Sequence, residues 1–210
     1  MLTMGRQTAL KALGIFRRDR RRSETVINSV LSEDMDARER ALAVNIFYGV
    51  IQNSIYIDRI ISEFSSKSIS AVQPVVTDIL RTGIYQILFL QKVPDSAAVN
   101  EAVKMCRGKY SYARGFVNAL LRRVCREKEH LPEFGETDPE KFHYRYSIPQ
   151  WLSERICDEI GVSAADGFFR ACNAPCPVTV QANTLKRESV DLLESSDTFS
   201  RHPFLENCYF

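Results

Sequence analysis

The chain has no apolar run approaching the roughly 20 residues that a membrane-spanning helix needs. Its longest candidate, Ile84 to Leu90, is interrupted by Gln86 inside a longer amphipathic pattern, so it reads as a core helix. Glycine is sparse as well. The nine glycines are never closer than six residues apart, which excludes both a G-x-G-x-x-G turn and a P-loop. His130, His143 and His202 are too dispersed for a catalytic triad. Among the six cysteines only Cys172 and Cys176 stand in C-x3-C spacing, and no second close pair of ligands accompanies them. Reduced thiols are therefore expected, with neither a zinc site nor a disulfide framework. The opening residues show a helical pattern with Arg6 and Lys11 spaced through it, unlike a secretory signal, and the cytoplasm is the expected location.

Charge is divided along the chain. Residues 1–128 carry 21 Lys and Arg against 12 Asp and Glu, whereas residues 129–210 carry 7 against 14, so the overall +2 conceals a basic and an acidic half. A basic surface attracts a polyanion and releases its counterions, which makes nucleic acid the first partner to consider. Two clusters stand out. Arg17, Arg18, Arg20, Arg21 and Arg22 lie at and after the end of a first helix that already carries Arg6 and Lys11, with Asp19 the only acid among the five. Lys104, Arg107, Lys109, Arg114, Arg122, Arg123 and Arg126 form the second, where Glu127 is the only acid between Lys104 and Lys128. Guanidinium groups fork onto phosphate oxygens and stack on unpaired bases, so the arginine excess favours RNA. The bland alternative is a solvated helical face with cations near helix C-termini. Tyr110 and Tyr112, beside Gly108, are candidates for base stacking.

Helical spacing runs through the front half. Ala9, Leu10, Leu13 and Phe16 mark a first helix, and Val26, Ile27, Val30 and Leu31 a second. Asp36 with Glu39 makes a capping-box start to a third, and Ile57, Ile60, Ile61 and Phe64 mark a fourth. Pro74 suits the first position of a long fifth helix, which Val93-Pro94 ends. Asp95 or Ser96 is expected to cap a sixth, and a seventh is expected from about Tyr112 to Lys128, with Gly115 allowing a close helix approach. Seven helices with short links predict one bundle over residues 1–128 and a mainly all-α fold class. Residues 129–146 turn to Pro, Gly, acidic and His residues without helical period and read as a linker. In residues 147–210, Ser147 with Gln150 reads as another capping box, opening a helix that Gly161 ends. A helix over Ser163 to Cys172, a strand over Val178, Val180 and Ala182, and a short helix from Val190 follow. The last segment, Pro203 to Phe210, reads as a strand without a partner, so the chain is expected to stop inside an incomplete small α/β segment.

Four local patterns occur in fixed order: PDSAAVNEAV (Pro94 to Val103), RGFVNALLRR (Arg114 to Arg123), RYSIPQWL (Arg145 to Leu152) and ANTLK (Ala182 to Lys186). Together they resemble the front half of the RsmB (Sun/Fmu) family of bacterial 16S rRNA cytosine-C5 methyltransferases, whose opening domain is similar to the antitermination factor NusB. The first two patterns alone resemble any NusB-like domain; the last two move the choice. The resemblance implies a NusB-like RNA-binding bundle over 1–128 and the start of a pre-catalytic domain over 147–210. It further implies that the complete protein moves a methyl group from S-adenosylmethionine to C5 of a cytosine in 16S rRNA. Ser96 stands where family members often have His.

The family's catalytic domain has no counterpart here, so no catalytic, cofactor-binding or metal residue is expected, and S-adenosylmethionine belongs to the full-length protein. Cys176, between Pro175 and Pro177, needs weighing because cytosine-C5 methyltransferases attack C6 of the base with a cysteine that commonly follows proline. It precedes the ANTLK segment, whereas the family's catalytic cysteine lies beyond the cofactor loop, so it reads as a buried or incidental thiol. The alternative is a NusB-like antitermination or regulatory module that binds RNA and, by analogy with NusB, a ribosomal protein.

Overall fold

The computed structural model describes residues 3–19, 21–65 and 69–210. They are mostly helical, with seven α-helices in the front half, as the hydrophobic spacing requires. Two compact units emerge, Met1–Phe169 and Arg170–Phe210.

Helix α5 (Pro74–Phe89) is the axis of the first unit, packed by α1 (Met4–Asp19), α3 (Ala37–Gln52), α4 (Ser54–Phe64), α6 (Asp95–Met105) and α7 (Arg114–Glu127). It is buried nearly all round: Ile79, Leu80, Thr82, Ile84 and Gln86 are fully enclosed. That encirclement explains why Ile84 to Leu90 is so apolar. The short α2 (Ser23–Val30) adds Val26 and Ile27 to the same core. Close packing is set by glycines at two crossings. A Cβ on Gly83 would lie 2.7 Å from Leu121 on α7, and one on Gly49 would enter the Tyr85 ring. Gly115, by contrast, faces open space, so the close approach expected there is made at Gly83.

Helix starts follow the sequence unevenly. Asp36 caps α3 as expected, its carboxylate accepting the Arg38 and Glu39 N–H groups. At α6 the cap position is Pro94 with no side-chain bond, and Asp95 instead pairs with Lys128 at 2.9 Å. Helix α7 begins at Arg114 because Gly108–Ala113 form a tight 3-10 segment, entered through Gly108 at φ +54.

The stretch read as lacking helical period contains α8 (Asp138–Arg145), started by Thr137, whose hydroxyl accepts the Glu140 N–H. Ser147 does not cap the next helix. It sits at φ +52, and its hydroxyl accepts the Tyr56 N–H at 3.0 Å, while Pro149 takes the cap position of α9 (Gln150–Ile160). Gly161, at φ +81, ends α9 as expected and leads into α10 (Val162–Asn173). Phe142, Tyr146, Cys157, Ala165 and Phe169 form a small core over α8 to α10.

In the second unit Val180–Gln181 (β1) pairs antiparallel with Cys208–Tyr209 (β2), with Val180 opposite Tyr209. The final strand thus has a partner, contrary to the sequence reading. Ala182, Tyr209 and Leu193 of α11 (Arg187–Glu194) make the unit's core. Among the described residues no helix is long and apolar enough to cross a membrane.

Candidate nucleic-acid interface

The fold sorts the basic residues into those it uses and those it presents. Arg6 is used. Although it stands with the first cluster in sequence, it is only 7% exposed. Its Nε donates to Oε1 of the enclosed Gln86 at 2.6 Å and its Nη1 to the Thr3 hydroxyl at 2.9 Å, tying α1 to the central helix. Arg6 therefore leaves the set of RNA-facing candidates. Arg17 is half committed: its Nε pairs with Asp78 at 3.2 Å, and Asp78 also accepts from Arg81, which grips Asp58 through two bonds of 2.7 Å. Burial pushes the Asp78 carboxyl above its ordinary range, against the pull of Arg81 and Arg17. Arg114 is tied down as well, its Nε donating to the Cys106 carbonyl at the end of α6.

Arg18, Arg21 and Arg22 are exposed, the first two sharing Asp19 at 3.0 and 3.8 Å. Such exposed pairs contribute little and leave both guanidiniums open to a phosphate. Arg20 lies outside the described residues. In the second cluster Lys104 pairs with Glu101 at 2.7 Å, and Lys109 lies over the Tyr110 ring at 5.3 Å. Tyr110 packs against the core, whereas Tyr112 is 66% exposed, so of the two tyrosines only Tyr112 offers a ring face. Arg122 donates to Asn118 at 3.0 Å; Arg123 pairs with Glu127 at 3.0 Å and lies over Phe64 at 4.6 Å. Arg126 is exposed.

Two basic segments far apart in sequence meet in space. A groove of about 480 Å³ is lined by Lys11 and Arg18 from α1 and by Arg107, which follows α6. Its floor is Leu10, Gly14, Ile15, Val75 and Met105, and Gln7 completes the rim. At the opposite end of α6, a second groove of about 330 Å³ brings Arg122 and Arg126 beside Asp95, Ser96 and Asn100. Along α6 the second groove reaches from Asp95 to Asn100 and the first begins at Met105, about 8 Å further on. Sequence reasoning named the cations of both grooves but missed Gln7 and Gly14. The signal was present: Gln7, Lys11, Gly14 and Arg18 are spaced by four, three and four residues, one stripe of a helix.

Burial pushes Cys106 and Cys125 above the ordinary thiol range. Cys176 is exposed, which leaves the incidental thiol of the two readings given to it.

A model of the NusB family matches residues 4–126, the span of α1 to α7. The chain belongs to the NusB family. The solved NusB of T. maritima matches 68% of this chain and 99% of its own, at 28% identity and a TM-score of 0.54. Similarity continues past the NusB region. The probable ribosomal RNA small subunit methyltransferase B of Bacillus subtilis is 32% identical over 197 residues, covering 91% of this chain and 43% of that protein. The corresponding protein of Synechocystis is 26% identical over 184 residues, covering 86% of this chain and 41% of its own. This chain thus spans about two fifths of the length of these two relatives. A further solved protein, PH0851, aligns with all of it at a TM-score of 0.65 and 18% identity, a likeness of fold.

Proposed function

We propose that this chain is the RNA-positioning front region of a 16S rRNA (cytosine-C5) methyltransferase. The observation that carries the RNA reading is the convergence of Lys11, Arg18 and Arg107, from two separate basic segments, on one groove. Three cations around a concave surface focus positive potential where a phosphate backbone can lie. The similarity to the small subunit methyltransferases beyond residue 126, where the NusB match ends, favours this reading over a free-standing antitermination factor. The expected setting is the cytoplasm, with 16S rRNA as partner.

S-adenosylmethionine would serve the complete enzyme, but the residues here do not fit it. The nine glycines are dispersed, and the strands among the described residues are two-residue pieces without a glycine-rich turn between strand and helix. The role left to this chain is to hold and orient RNA.

The test is charge reversal. Replacing Lys11, Arg18 and Arg107 by Glu should weaken binding to an rRNA hairpin and flatten its salt dependence. Each lost phosphate contact removes roughly 0.7 to 0.9 from the slope of log affinity against log salt, so three contacts lower it by about two. Arg155→Glu, on the exposed face of α9, is the control and should change neither quantity. Unchanged affinity and slope in a folded triple variant would refute the proposal.

A further inference from the structure

The strongest unexplained feature of the groove is its glycine. A glycine inside a helix is less stable than alanine, so a folded chain that keeps one commonly uses it where another group needs the space. Gly5, Gly49 and Gly83 meet that expectation: a Cβ on each would collide with Glu39, Tyr85 and Leu121 respectively. Gly14 does not. It lies within α1, and a Cβ there would meet nothing within 4 Å. Gly115 and Gly167 are equally open on their helices, so what singles out Gly14 is its place among cations. Its place is the groove floor, midway along the stripe between Lys11 and Arg18, with Leu10, Ile15, Val75 and Met105 as apolar neighbours.

We propose that Gly14 makes room for one unpaired RNA base, laid on this apolar floor while Lys11, Arg18 and Arg107 hold the flanking phosphates. The inference rests on the RNA reading above and specifies it: the ligand at this groove is single-stranded. Lys11 and Arg18 are seven residues apart on one helix, about 10 Å along its axis, so they bracket the glycine from both sides. An apolar floor with a cationic rim matches the chemistry of a splayed-out nucleotide, which is a planar ring attached to an anionic backbone. A duplex keeps its bases stacked inside and presents phosphates alone, for which an apolar floor offers nothing. Charge complementarity selects RNA over an apolar peptide, because every charged side chain lining the groove among the described residues is a cation.

Gly14→Leu fills the floor and leaves all three cations in place. Since the position opens on empty space, the variant should fold and melt at or above the parent temperature; Gly14→Met is a second blocker with a more flexible side chain. Three labelled probes separate the possibilities: a short single-stranded RNA, the same strand annealed to its complement, and a ribose-phosphate strand of equal length without bases. Both variants should lose about tenfold in affinity for the single strand, the scale of one stacked base. They should bind the duplex and the base-free strand as the parent does. Gly167→Leu, equally open on α10, should change nothing. Parent-like affinity of Gly14→Leu for the single strand would overturn the proposal, and so would an equal loss on the base-free strand, which would mean that only backbone runs there. If charge reversal weakens binding while Gly14→Leu does not, the RNA interface stands and the base pocket alone falls.

Discussion

Arg6→Met should uncouple two properties that composition alone would assign to one residue. Arg6 belongs by sequence to the basic front of the chain, yet its guanidinium is enclosed and bonded to Gln86 Oε1 at 2.6 Å and to the Thr3 hydroxyl at 2.9 Å. Methionine keeps much of the stem volume and removes both donors. Gln86 is fully buried and its amide nitrogen is already engaged with the Thr82 carbonyl, so its Oε1 would be stranded. A hydrogen bond to a charged group is worth about 1.5–3 kcal/mol, and a buried acceptor left unmade carries a penalty on the same scale. About 3 kcal/mol of destabilisation is therefore expected. At about 2–4 °C per kcal/mol for a chain of this size, that is a drop of roughly 6–12 °C in Tm. The salt slope of RNA binding, measured below the transition, should stay at the parent value because no phosphate contact is lost. Thermal melting and a salt titration on the same preparation check both halves. A variant that melts like the parent but binds RNA with a flatter salt dependence would refute the assignment of Arg6 to the core.

Two other changes probe the ionic ties that hold α1 and α4 to the bundle. Arg81→Met leaves the Asp78 carboxylate, whose side chain is 2% exposed, paired with Arg17 alone of its two arginines, and should cost about 3–5 kcal/mol in urea denaturation. Burial already raises Asp78, so its ionisation works against the fold, and the deficit of this variant should be larger at neutral pH than in acid. A loss below about 1 kcal/mol would show that Asp58, Asp78 and Arg81 are not tightly coupled. Glu101 behaves in the opposite sense. Burial works to raise it, but the Lys104 ammonium, the Thr3 N–H and the nearby Arg6 charge prevail and hold its carboxyl below the ordinary range. Its contribution is thus present above the unfolded value of about 4.3 and lost as pH falls through the lower folded value. Glu101→Gln should be less stable than the parent at pH 7, with the gap closing in acid; a gap that is constant with pH would show that the carboxylate charge is not what holds Thr3.

The helices were legible because their evidence is local. Apolar residues at helical spacing, Pro74 at a first position and Asp36 at a cap each act within one turn, and the structure keeps all of them. The misreadings arose where a polar side chain had a distant partner to choose. Ser147 fits a capping box over its own next residues, but it accepts instead from Tyr56, 91 positions away. Asp95 fits a cap and pairs with Lys128. Helix α8 was hidden because its buried side is narrow: Phe142 is its one fully buried residue, too little to show a period among Pro, Glu and His. The two-strand pairing was invisible for a related reason. Alternation over Val178, Val180 and Ala182 marks the first strand, but its pairing depends on residues nearly thirty positions apart.

The interface was half legible, and the division is physical. Charge type and clustering can be counted, so every cation lining the two grooves was named from the sequence. What cannot be counted is which cation the fold consumes. Arg6, Arg17 and Arg114 look identical to Arg18 and Arg107 in a list of arginines, yet an enclosed amide, a buried carboxylate and a helix-end carbonyl claim the first three. Those ties also serve the interface. Arg6 and Arg17 fasten opposite ends of α1 to α5, and Arg114 fastens α7 to the end of α6. The consumed arginines thereby fix the two helices whose exposed cations converge. Charge reversal at all of these arginines would unfold the bundle and mimic a loss of RNA binding. Only variants confined to Lys11, Arg18 and Arg107, with Arg6 as the buried counterpart, separate a surface that binds from a surface that merely stays folded.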